Sequence, residues 1–134
     1  MITVTTTVNT ELEKVWNFFT NPQHIKNWNN ASPDWHTPSA ENDLQVGGEF
    51  NYTMAAKDGS FSFDFCGTYT VVIPLKEISY VLSDGRTVII KFEQTKEGIS
   101  IIESFDPENE NSLELQQMGW QAILNNFKSY VEAN

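Results

Sequence analysis

The chain has 134 residues, 40% of them hydrophobic and 13% aromatic, enough to build one domain over residues 1–134 with a core that needs no staples. Eighteen acidic against eight basic side chains give a formal charge of −10, which argues against binding nucleic acid or an anionic lipid surface. No apolar run reaches bilayer length, Met1 to Thr5 lacks signal-peptide character, and a single cysteine, Cys66, excludes an internal disulfide, so the expectation is a soluble, non-exported, cytoplasmic protein with no membrane span.

Ile2 to Val8 alternates apolar Ile2, Val4 and Val8 with threonines, the period of a half-buried strand. Thr10 with Glu13 predicts a capping box, and Leu12, Val15, Trp16 and Phe19 then follow helical spacing as far as Thr20-Asn21-Pro22. Asn21 and Pro22 are suited to cap and open a second short helix, in which Ile25 and Trp28 share a face. Asn29 to Leu44, polar and interrupted by Pro33 and Pro38, reads as an irregular loop that carries Trp35 and His36. After Gly47-Gly48 the pattern predicts strands at Glu49 to Lys57, Phe61 to Ile73, Glu77 to Leu82, Arg86 to Gln94 and Ile99 to Phe105. Their links are short, so neighbours should pair antiparallel. From Leu113 to Glu132 the spacing of Leu113, Gln116, Gln117, Trp120, Ile123, Leu124, Phe127, Tyr130 and Val131 predicts a long helix with one face buried against the sheet.

Strand parity puts Phe50, Tyr52 and Met54 on one face, followed by Phe61, Phe63, Phe65, Gly67, Tyr69, Val71 and Ile73 on the next strand, then Ile78, Tyr80 and Leu82, then Val88, Ile90 and Phe92. A gap between these residues and the last helix, lined by aromatics and crossed by Gly119, has the character of a ligand pocket. The alternative for Gly119 is close packing of helix on sheet. Glu103 interrupts the set Ile99, Ile101 and Phe105 and faces inward unless a bulge intervenes, where burial would raise its pKa. The candidate binding residues are Trp28, Trp35 and His36 at an opening beside the loop, with Tyr52, Met54, Phe65, Tyr69, Tyr80, Phe92 and Glu103 on the sheet. Gln116, Gly119, Trp120, Ile123 and Phe127 complete the set from the helix.

Catalytic signatures are missing. His24 and His36 are the only histidines, and neither has a second ligand at metal spacing. There is no Gly-x-Ser-x-Gly elbow and no glycine loop that would cradle a phosphate, so neither metal nor cofactor is expected.

The order of strand, two helices, meander and long helix resembles the START/polyketide-cyclase superfamily, and more narrowly the bacterial relatives of the C-terminal domain of the activator of the heat-shock protein 90 ATPase. The residues that carry the resemblance are Val15-Trp16, Pro22 through Trp28, Pro33-Asp34-Trp35-His36, Gly47-Gly48-Glu49-Phe50, Asp58-Gly59, Gly67-Thr68-Tyr69, Asp84-Gly85-Arg86 and Gly119-Trp120-Gln121 with Leu124 and Phe127. The resemblance implies an α+β helix-grip fold, in which a seven-stranded antiparallel sheet wraps the C-terminal helix around a cavity that accepts apolar molecules in relatives. It supplies no catalytic set.

The leading expectation is a non-enzymatic module, monomer or weak dimer, that binds a small apolar or amphipathic ligand. One alternative is an enzyme of cyclase or dehydratase type using Glu103, Tyr80 or His36. The other is a module for a protein partner, a chaperone-interaction or stress-response domain that uses the acidic surface.

Overall fold

Alternating side chains and short turns fold most of this chain onto its own neighbours in sequence. The computed structural model describes residues 1–134. It begins with β1 (Ile2–Val8), α1 (Leu12–Thr20) and α2 (Pro22–Trp28), continues through β2 (Trp35–Asn42), β3 (Glu49–Ala56), β4 (Ser62–Ile73), β5 (Glu77–Leu82), β6 (Thr87–Thr95) and β7 (Gly98–Phe105), and ends in α3 (Leu113–Ala133). The strands make one seven-stranded sheet in the order β1-β7-β6-β5-β4-β3-β2, and each pairing is antiparallel. Consecutive strands from β2 onward are neighbours, and β1 closes the far side against β7. The sheet curls around α3 in the helix-grip arrangement, and no helix is long and apolar enough to cross a membrane.

Three local expectations need correction. The segment predicted as an irregular loop contains β2, an edge strand paired with β3. Its register shifts between His36 and Ser39, around Pro38, and an edge strand with a bulge is where a sheet tolerates a residue lacking an N–H. The capping box at Thr10 is absent: Glu11 holds the N-cap position of α1 and its side chain caps nothing. In α2, by contrast, the Asn21 side chain accepts from the Gln23 N–H at 3.0 Å and Pro22 opens the helix. The third correction concerns β4, whose register shifts between Tyr69 and Val71. That irregularity breaks the parity that put Val71 and Ile73 inward, so Val72 packs on the core and Ile73 is left exposed.

The core sits between the sheet and the second half of α3. Phe105, Ile99, Ile101 and Val88 from the sheet meet Leu124, Phe127 and Val131 from the helix, all of them buried. Phe19 and Trp28 from the two short helices both pack edge-on against Phe127, with ring centroids 5.2 and 4.9 Å away. Burying such rings dominates the energetics of a core this size.

Candidate functional site

Under the first half of α3 the same two layers do not meet. A cavity of about 590 Å³ lies there, and fifteen of its twenty-five lining residues are hydrophobic, which gives it the size and character of a small-molecule site. The sheet contributes Tyr52 and Met54 from β3, Phe65 and Tyr69 from β4, Ile78 and Tyr80 from β5, Ile90 from β6 and Glu103 from β7. The helix contributes Leu115, Gln116, Gly119, Trp120, Ile123 and Leu124.

Gly119 borders this space. A Cβ built on it meets no atom within 4 Å, so close packing of helix on sheet is not the reason for the glycine. Gly67 is the reverse case, since a Cβ there would lie 2.6 Å from the Val81 carbonyl oxygen and 3.1 Å from the Phe50 ring. Trp120 leaves the helix beside Gly119 and stacks on Phe105 at 3.9 Å with an interplanar angle of 10°, and its edge meets Phe65. One wall of the cavity is thereby braced against β4 and β7.

Four of the sequence candidates lie elsewhere. Phe127 is fully sealed in the core, and Phe92 is buried between Trp16 and Phe19. His36 is exposed on the edge strand, away from the cavity. Trp35 stays outside the lining but packs against Phe61 and Phe63, at 6.1 and 6.0 Å, and so flanks the mouth. Periodicity could not separate these residues from true lining, because core and cavity share one apolar stripe.

The position of the mouth also differs from the expectation of an opening at the Trp28 to His36 loop. Trp28 lines the cavity but is buried, and a chain of hydrogen bonds closes that end. The Tyr69 hydroxyl donates to Asn42 Oδ1 at 2.5 Å, Asn42 Nδ2 donates to the Thr20 carbonyl at 2.7 Å, and the buried Thr37 hydroxyl donates to the Asn29 carbonyl at 2.6 Å. The exposed apolar lining is instead Phe61 and Phe63 at the β3–β4 hairpin and Leu115 in the first turn of α3, 60%, 43% and 55% exposed. Sequence reasoning passed over Leu115 and Asn42, and the best available signal was the inward parity of Phe61 and Phe63 in a segment next to a turn.

The polar groups divide by what they already hold. Gln116 is buried and turned toward its own loop: its Oε1 accepts from the Glu108 N–H at 2.8 Å, and its Nε2 donates to the Asn111 and Glu108 carbonyls at 2.9 and 3.2 Å. It fastens the loop before α3, with both its amide nitrogen and its amide oxygen engaged there. Arg86, at the turn before β6, lines the cavity but is joined to Asp84 at 2.8 Å. Glu103 is different. It is inward on β7, paired in register with Ile90 and Val4, and burial alone pushes its carboxyl up to about 8. No cation or hydrogen bond from the protein opposes that shift. Burial likewise raises Tyr80, with Glu103 as the next cause, and takes Tyr69 to about 12.

A curled antiparallel sheet gripping a C-terminal helix over a part-open apolar cavity defines a START-like, helix-grip protein. The family model described as "Activator of Hsp90 ATPase homolog 1-like protein" matches residues 9–132, and the chain belongs to that family. Among solved structures, it is similar to an AHSA1-like protein from Aeromonas hydrophila at 46% identity and TM-score 0.93, covering 98% of this chain and 92% of that one. It is also similar to a protein from Cytophaga hutchinsonii at 56% identity and TM-score 0.86, covering 99% of this chain and 92% of that one. A protein from Chromobacterium violaceum shares the fold at 22% identity and TM-score 0.84, with 99% of this chain and 98% of that one covered. No curated protein matches the chain.

Proposed function

We propose that this protein binds a small, largely apolar molecule in the cavity between the sheet and the first half of α3, without transforming it. The observation that carries the reading is the 590 Å³ space crossed by a glycine that no packing contact requires. A close-packed interior leaves few voids larger than a water molecule, so a volume of this size under an ordered helix is a feature that calls for an occupant. Affinity would come from apolar area covered by Trp120, Phe65, Met54 and Ile123, at about 25 cal/mol per Å² before the cost of association. Phe61, Phe63 and Leu115 would form the entrance.

The test is native mass spectrometry of freshly purified protein together with titration of an apolar fluorescent dye. Trp28 and Trp120 line the cavity, so an occupant should quench tryptophan emission. A ligand mass on the native protein, or saturable one-to-one dye binding with quenching, is the expected result. Absence of both would overturn the reading.

A second reading, an acid-assisted reaction of cyclase or dehydratase type, is favoured by one observation: Glu103 keeps its proton to about pH 8 inside the cavity. Turnover of a polyketide-like substrate that vanished in Glu103→Gln would favour it over simple binding.

A further inference from the structure

This inference rests on the binding reading and names the class of ligand. Glu103 and Tyr80 both line the cavity, each is 8% exposed, and neither has a hydrogen-bond partner within the protein. The one buried side-chain atom sealed away without a partner is Asn51 Oδ1, which lies outside the cavity, so the polar atoms of Glu103 and Tyr80 reach its open space. They belong to adjacent rows of one sheet face: Glu103 pairs with Ile90 of β6, which pairs with Ile78, while Tyr80 pairs with Val88 two residues along. Tyr69, whose ring lies 6.0 Å from that of Tyr80, already donates its hydroxyl hydrogen bond to Asn42 Oδ1.

A carboxyl and a phenol in such a position have protons to donate and nothing to receive them. We propose that the ligand presents an uncharged acceptor oxygen, a ketone, ester or amide carbonyl, to Glu103 and Tyr80, and that the cavity excludes carboxylates of the same size. A buried donor without an acceptor costs free energy that a ligand carbonyl would recover, which makes the pair a specificity device as well as an anchor. Exclusion of carboxylates follows from the other charges. The titratable groups that face the cavity are Tyr52 from β3, Tyr69 from β4, Tyr80 from β5, Arg86 from the β5–β6 turn, and Glu108 and Glu110 from the loop before α3. No titratable side chain of β1, β6, α1, α2 or α3 lines it. The one cation in that set is held by Asp84, and the chain carries a formal charge of −10. An anionic headgroup would meet a single cation already paired with Asp84, and the Glu108 and Glu110 carboxylates beside it.

The test is displacement of a bound apolar dye by three probes of equal chain length: dodecanone, dodecanoate and dodecylamine. At neutral pH dodecanone should displace the dye at least about tenfold better than dodecanoate, a lower bound on the effect of leaving a buried charge unpaired. Because Glu103 ionises near pH 8, dodecanone affinity should fall about tenfold between pH 7 and pH 9. Glu103→Gln, which keeps a donor without a titration, should remove the pH dependence and retain the preference, and Tyr80→Phe should weaken dodecanone without changing its pH profile. Equal binding of dodecanoate, a preference for dodecylamine that grows with pH, or an unchanged pH profile in Glu103→Gln would each overturn the carbonyl assignment while the cavity stands. If the dye itself does not bind, the binding reading and this inference fail together.

Discussion

From Leu124 to Val131, α3 behaves as a core helix: Leu124, Phe127 and Val131 are at most 2% exposed, and Phe127 is clamped by Phe19 and Trp28. From Leu113 to Ile123 the same helix buries only Gln116, leaves Leu113 and Met118 60% and 68% exposed, and carries Gly119 past empty space. One apolar stripe runs through both halves, so the difference does not originate in helical periodicity. It arises from what lies opposite. The two short helices fill the space beside the second half, whereas the first half faces a concave sheet with nothing between. An amphipathic stripe therefore predicts where a helix can bury itself, and only the partner decides whether the result is a core or a cavity.

The comparison is broken most directly in the second half. Phe127→Ala should cost about 3–5 kcal/mol by removing a sealed aromatic, read as a lowered denaturation midpoint with an unchanged slope. A loss below about 1 kcal/mol would show that this half is no better packed than the first.

Glu103 probes the cavity side. Its folded pKa, about 8, lies above the ordinary value of 4.5, so its contribution to stability is fully present below about pH 4.5 and is lost as pH rises through 8. Glu103→Gln should consequently gain about 3 kcal/mol relative to the parent between pH 5 and pH 7.5, and match it at pH 4. Parallel stability curves for the two proteins at every pH would place the carboxyl in water.

A smaller effect is expected at the junction between loop and helix. Gln116→Leu keeps the volume and removes three hydrogen bonds to the loop, so it should cost about 1–3 kcal/mol through orphaned backbone groups and speed amide exchange at Glu108. Unchanged exchange at Glu108 would show that the loop is held by other contacts.

The smallest change sharpens the distinction furthest. Gly119→Ala should stabilise the protein by about 0.5–1 kcal/mol, since a helical glycine is unfavourable and its methyl meets nothing. Gly119→Leu should leave stability within about 1 kcal/mol of the parent while reducing dye binding, because the side chain would enter the cavity. If Gly119→Leu lost stability and dye binding to the same degree, the glycine would be a packing contact.

Local patterns carried much of this architecture. Alternation located β1 and β3 to β7 to within a few residues, and the turn residues fixed their antiparallel order: Gly59 and Gly85 take positive φ, and Asp58 and Asp84 accept from the backbone two residues on. β2 escaped because its pattern is weak and Pro38 lies at a register shift. The same limit applied to the site. Parity places Tyr52, Met54, Phe65, Tyr69, Tyr80 and Glu103 on the inward side, but it could not distinguish Phe92 from Tyr80, or see that Gln116 is tied to its own loop.

Taken by itself, the sequence determined the elements other than β2, their order, the inward face of the strands apart from the end of β4, and the charge that disfavours anionic partners, because each of these depends on residues adjacent in the chain or on simple counts. Tertiary structure alone decided that the space under Gly119 is empty, that the mouth lies at Phe61, Phe63 and Leu115, and that Glu103 is buried without a partner. The reason is physical: a cavity and a desolvated carboxyl are properties of distances between elements far apart in sequence, and those distances follow from the curl of the sheet and the packing of three helices against it.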